Sequence, residues 1–185
     1  AIMIFDLLVL GVAGYFGYTK LWKPVHDKII GFHAEMSAAW NGICGQIRVR
    51  QAAGARILDL VKSVAPQDPF VQDFEKPLAE QSQNLDDVQL VASREEPFVS
   101  LLKSSLLLQE AFPTLAADSR WAGAQQAVQK ANSNLDILRN QYNGAVTAYN
   151  KLFETFPANI VCSVCRVQPA AVFEAAPAIT KEDVA

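Results

Sequence analysis

Hydrophobic and polar positions divide this chain into one apolar run followed by several amphipathic stretches. The run, Ile2 to Trp22, carries only Asp6 and Lys20 as charges, and both lie near its ends. About 20 apolar residues, each rising about 1.5 Å, cross a hydrocarbon core of roughly 30 Å, so residues 2–22 are expected to be a transmembrane anchor. Tyr15, Tyr18 and Trp22 suit an interfacial belt. Lys20 and Lys23 can snorkel to head groups. A cleaved signal peptide wants a basic leading region, and the run opens directly on apolar residues; a buried core helix is the other alternative. Lys20, Lys23 and Lys28 follow the run and no Lys or Arg precedes it, which predicts a cytoplasmic bulk domain on a single-pass anchor in the cell membrane.

Beyond Pro24 the period changes. Ile29, Met36, Trp40, Ile43, Ile47, Ile57 and Val64 recur on steps built from threes and fours, predicting one long amphipathic helix from Val25 to Ala65. Arg50 and Gly54 interrupt its stripe, which calls for a polar contact or close packing there. Ala65-Pro66-Gln67-Asp68-Pro69 reads as a turn. A second helix is expected from Phe70 to about Ser93, with Pro77 near its first turns, and a third from Pro97 to Ala111, with Pro97 at the first helical position and Pro113 ending it. The fourth pattern is the most regular: Trp121, Ala124, Val128, Ala131, Leu135, Leu138, Tyr142, Ala145, Tyr149, Leu152 and Phe156 alternate steps of three and four. Asp118 or Ser119 can cap its start and Pro157 stops it. A short helix fits after Pro157, with Phe173 as an anchor beyond it, and residues 176–185 read as a flexible C-terminal tail. Several apolar stripes joined by proline-bearing turns must bury one another. The expected fold is therefore all-α: a long antiparallel up-and-down helical bundle over residues 25–175 behind the N-terminal anchor.

Composition narrows the function classes. Just over half the residues are apolar, which excludes a disordered chain. The net charge of -3 provides no global basic field for nucleic acid. Arg48, Arg50 and Arg56 form a modest basic group without interleaved aromatics, read as a salt-bridged helix face answered by Glu95 and Glu96. His26 and His33 lack the carboxylate pattern of a metal or proton site and read as solvated or interfacial.

Two groups invite closer reading. Arg139, Asn143 and Asn150 share one face of the fourth helix, where side-chain amides can bond backbone or fix register; a ligand site is the less favoured alternative. Tyr142 and Tyr149 lie on the seam as core rings with hydroxyls reaching partners. Cys162-Ser163-Val164-Cys165 is a CxxC pair, able to supply half a zinc site or a redox dithiol. Two further ligands and a βαβ context are not evident, so Cys162 and Cys165 read first as small buried thiols, with metal or redox chemistry as alternatives. Cys44 has no obvious partner. No cofactor is expected.

Arg139 to Asn150 spells RxxYNxxVxxYN, followed by Phe156-Pro157; Phe112-Pro113-Thr114-Leu115 is similar to a "YPxL" corner; Ala39-Trp40, Ile43, Ile47 and Arg50 are similar to an AWxxIxxxLxxR helix, continued by Ile57 and Lys62; and Phe173 stands as a terminal aromatic. In this order, over most of residues 26 to 175, the set resembles the LemA family. Trp40, Arg50, Pro113, Arg139, Tyr142, Asn143, Tyr149, Asn150, Pro157 and Phe173 carry the likeness. There are departures: His26-Asp27 replaces Tyr-Asn, Ala55 replaces a proline, Asn132 replaces an acid, and Cys165-Arg166 stand near the place of a "GF" pair. The resemblance implies an all-helical antiparallel bundle on a single-pass anchor and no known enzyme activity. The expected function is a membrane-anchored helical scaffold or adaptor, non-catalytic, with the lipid bilayer, further copies of itself or a membrane protein as partners and no nucleic acid. The alternative is a CxxC-dependent redox or metal-binding membrane protein.

Overall fold

The computed structural model describes residues 2–174, and every regular element among them is helical. The order is α1 (Ile2–Gly17), a π-helical turn (Tyr18–Trp22), α2 (Lys23–Val64), α3 (Pro69–Glu80), α4 (Val88–Ala111), α5 (Pro113–Ala116), α6 (Ser119–Asn150), a 3-10 turn (Lys151–Phe153) and α7 (Ala158–Cys165). The expected tail, residues 176–185, lies outside the described residues. The described residues divide into two compact units, one formed by 2–38 with Asn143–Ala170, the other by Ala39–Tyr142 with 171–174.

In the second unit, contacts fix the directions of the helices. Along α2 toward its start, Lys62 pairs with Glu75, Gln51 bonds Leu78 O, Arg50 bonds Gln81 and Trp40 bonds Leu85 O, so α3 and the turn after it run against α2. Phe74 stacks on Phe98 while Arg94 bonds the carbonyls of Glu80 and Gln83, which sets α4 against α3. Ser105 meets Gln125 and Gln109 meets Trp121, so α6 reverses again. The topology is up, down, up, down, as the four stripes require. The core is filled from all of these helices, including Ile57 and Val61, Phe74, Leu102, Leu115 and Val128.

Gly54 sits where α2 approaches its neighbours closely: a Cβ there would lie 3.0 Å from Leu78 Cδ1 and 3.3 Å from Phe74 Cζ. The two interruptions in the α2 stripe thus have the two causes the pattern allows, a polar contact at Arg50 and close packing at Gly54.

Four expectations need correction. The second helix ends at Glu80, well before Ser93. Asn84 takes a left-handed φ of 48°, and the Asp87 carboxylate accepts from Gln89 N and Leu90 N, so a turn and a new N-cap stand inside the predicted helix. That cap starts α4 at Val88, and Pro97 lies within the helix instead of opening it. Lacking an N–H, Pro97 cannot bond Ser93 O; next to that gap, Arg94 O accepts from Gln81 Nε2 at 3.2 Å.

The α-helical part of the fourth pattern stops at Asn150, six residues before Phe156, and passes into the 3-10 turn. Val146, not Ala145, fills the core, and Phe156 is 74% exposed. Finally, no helix among the described residues is long and apolar enough to cross a membrane. The apolar run is divided: α1 has 16 residues, about 24 Å at about 1.5 Å each. The π turn follows, where Thr19 Oγ1 bonds Tyr15 O and Phe16 O and competes for the helical carbonyls.

Candidate functional site

The most polar point of the bundle interior is Arg50. It projects from α2 and is only 2% exposed. Its Nη2 donates to Glu95 Oε1 at 2.5 Å and to Gln81 Oε1 at 3.1 Å, and Nη1 donates to Asn132 Oδ1 at 3.2 Å. The guanidinium carbon lies 5.1 Å from the Phe98 ring centre, and Phe98, Phe74 and Phe70 form a run of stacked rings. Arg50 therefore joins α2 to α4, α6 and the turn after α3. Among the described residues, Arg50 Nε and Asn132 Nδ2 have no hydrogen-bond partner. The expected answer by Glu95 is present, but as a buried pair instead of a solvated face. Gln81 escaped sequence reasoning; the signal for Asn132 was a polar residue beside a seam position, Ala131.

A second group holds the segment after α7. In one unit, Trp40 Nε1 donates to Leu85 O at 2.8 Å, and its ring meets Tyr142 and Phe173, each with centres 5.4 Å away. Tyr142 Oη donates to Ala171 O at 3.2 Å, and Phe173 is buried. In the other unit, Tyr149 Oη donates to Gln168 O at 2.9 Å while its ring touches His33 and Phe153. Asn150 bonds both backbone groups of one residue: Nδ2 donates to Ala170 O and Oδ1 accepts from Ala170 N, each at 2.9 Å. A side-chain amide thereby supplies what a neighbouring strand would. Burial pushes the Tyr142 and Tyr149 phenols above their ordinary pKa, which keeps both hydroxyls as donors.

The remaining motif residues are placed separately. Arg139 pairs with Asp136 one turn earlier at 3.1 Å, and Asn143 is half-buried on α6. Pro113 opens α5, whose Leu115 reaches the core. Pro157 precedes α7 and follows a cis peptide bond with Phe156.

Cys162 is buried and Cys165 half-buried on α7; both are free thiols, as is buried Cys44. Burial first, then the neighbouring Cys165, raises the pKa of the Cys162 thiol, and burial raises that of Cys44, whose Sγ lies 3.7 Å from Leu85 O. An activated dithiol has the opposite tendency, a depressed pKa. Among the described residues no three His, Cys, Asp or Glu side chains converge as a metal site.

Together these contacts define a class, an all-helical antiparallel bundle whose buried polar groups tie helix to helix and hold an extended C-terminal segment. The profile of the LemA family matches residues 39–185. This is most of the chain, and the protein belongs to that family. A comparison with curated proteins gives no match.

Proposed function

We propose that this LemA family member is a membrane-anchored helical scaffold or adaptor that works through helix-mediated self-association or partner binding and carries no chemistry of its own. The observation that supports the anchor is the apolar surface of α1: Leu7, Leu8, Leu10, Val12, Tyr15 and Phe16 are each more than half exposed. Water makes that arrangement costly, at about 25 cal/mol per Å² of apolar surface, and a bilayer removes the cost. Lys20, near the end of the run, and Lys23 and Lys28 beyond it can reach lipid head groups. The adaptor reading draws support from the inward commitment of Arg50, Glu95, Tyr142, Tyr149 and Asn150, which engage one another's helices or the C-terminal segment and leave helix faces as the surfaces on offer.

Flotation of the full chain with phospholipid vesicles, followed by crosslinking in the membrane, tests both parts. Co-flotation with oligomeric or partner-containing adducts is expected. A chain that stays in the aqueous fraction overturns the anchor; a floating chain that yields only monomer overturns association.

A further inference from the structure

α7 buries one side and carries large apolar groups on part of the other. Ala158, Val161 and Cys162 face inward and are buried. On the other side Ile160 and Val164 stand one turn apart, 54% and 61% exposed, and Phe156, two residues before the helix, is 74% exposed. From Ala158 to Cys165 there is no charged residue. Asn159 and Ser163, both exposed, are its polar side chains, and Asn159 Oδ1 accepts from Ile160 N. Helices at a water-facing surface ordinarily carry their polar stripe on the exposed side; here two of the four exposed helical positions, Ile160 and Val164, are large and apolar, and Phe156 leads into them.

The position of this face narrows what can cover it. An apolar groove runs beside α7 within the same unit. One wall is Pro157, Ile160 and Val161; the other is Tyr18, Leu21 and Trp22, from the end of the apolar run. The wall opposite α7 is thus the stretch whose aromatics and flanking lysines suit the boundary between hydrocarbon and head groups. The exposed charged residues adjoining these segments in sequence are mostly cations: Lys20, and Lys23 paired with Asp27, follow α1; Lys151 and Glu154 precede α7; and Arg166 terminates it in a left-handed conformation. Exposed apolar groups beside the end of the apolar run, with cations in excess in the adjoining segments, fit the surface of a phospholipid bilayer, in which an interfacial helix lies in the plane with its apolar side at the acyl boundary.

We infer that α7 is a second membrane contact, an interfacial element that seats Phe156, Ile160 and Val164 in the lipid beside the end of the anchor. The inference rests on the membrane reading of α1 and adds to it. A single hydrophobic helix leaves its domain free to swivel at the surface. Two contacts with lipid, one through α1 and one through α7, restrain the orientation of the unit to which both belong. The CxxC pair gains a role from this placement without redox or metal chemistry: Cys162 is a small apolar group on the inner side of a helix whose outer side meets lipid.

The test uses the full chain in vesicles of phosphatidylcholine and phosphatidylglycerol, with the photoreactive residue benzoyl-phenylalanine placed singly at Phe156, Ile160 or Val164. Leu8, in α1, reports the anchor. Leu107, an exposed apolar residue of α4, reports a face outside the proposed contact. Circular dichroism verifies helicity for each variant, and adducts are identified by mass spectrometry. Lipid adducts from Phe156, Ile160, Val164 and Leu8, roughly tenfold above those from Leu107, are expected of side chains at an acyl boundary. Adducts at Leu8 without adducts at α7 overturn this inference and leave the anchor standing. Crosslinks from α7 to a second copy also overturn it, since they make the face a protein interface. Failure to float, with no adduct at Leu8, overturns the anchor reading and this inference together.

Discussion

Arg50 on α2 and Glu95 on α4 form an ion pair with both side chains almost wholly withdrawn from water, 2% and 5% exposed. Two charges are desolvated to make it, and their attraction is supplemented by the Gln81 and Asn132 amides and by the Phe98 ring. Removing one partner leaves the other charged and buried. Arg50→Ala is therefore expected to destabilise the bundle by about 3–5 kcal/mol, read from urea unfolding followed by circular dichroism. The double variant Arg50→Met/Glu95→Leu is expected to recover most of that loss, ending within about 1–2 kcal/mol of the parent, because apolar pairs of similar volume can replace buried ion pairs. A double variant no better than Arg50→Ala sinks this account.

The Asn150 clamp on Ala170 needs a donor and an acceptor on one short side chain. Asn150→Asp keeps the acceptor for Ala170 N but sets a carboxylate against Ala170 O; Asn150→Ala removes both bonds. Each variant is expected to lose about 1–3 kcal/mol, the cost of leaving backbone groups unpaired. Hydrogen exchange at the Ala170 amide should quicken in Asn150→Ala and much less in Asn150→Asp. Equal exchange in the two variants would contradict the clamp.

Phe173 provides a separate check on the same segment. It is 2% exposed and meets Trp40 edge-on. Phe173→Ala is expected to cost about 3–5 kcal/mol if the cavity cannot collapse, with a shift of tryptophan emission as Trp40 becomes wetter. An unchanged melting temperature would show that the segment adds nothing to stability.

The thiols should separate by burial. At mildly alkaline pH, half-buried Cys165 is expected to react rapidly with an aromatic disulfide reagent, whereas Cys44 and Cys162, both buried and both raised in pKa, should wait for unfolding. One fast and two slow thiols is the predicted titration. A fast Cys162, or stoichiometric zinc lost in Cys162→Ala/Cys165→Ala, would restore the metal or redox alternative.

Acid should weaken the start of α6. The Asp118 carboxylate caps that helix, accepting from Arg120 N at 2.8 Å and from the Arg120 guanidinium, and these bonds hold its pKa below the usual carboxylate value. A depressed folded pKa means that the stabilisation is fully present above the unfolded value, about 4, and is lost as pH falls through the folded one. Asp118→Asn keeps a capping oxygen without the charge. Its stability is therefore expected to change less than the parent's as pH drops below about 4; parallel curves in acid unfolding would refute this.

Helix existence and order, the α6 seam, the Asp118 cap and the turn at residues 65–69 were legible in the sequence. Each is local information: apolar groups must recur every three or four residues to stay on one buried face, and prolines mark where the ladder breaks. The stripe interruptions at Arg50 and Gly54 were legible as anomalies too. Only the tertiary structure decided how they resolve, because Glu95, Asn132, Phe74 and Leu78 are distant in the chain and reach α2 only once the helices have reversed. The same holds for the break between Glu80 and Val88, where a turn and a cap override a pattern that could have stayed helical, and for Pro97, tolerated inside α4 through tertiary packing. It holds most plainly for Asn150 and Phe173. Their spacing marked them as polar lock and apolar anchor, but which backbone the one would clasp and which ring the other would meet depends on a returning segment that carries no periodic signal.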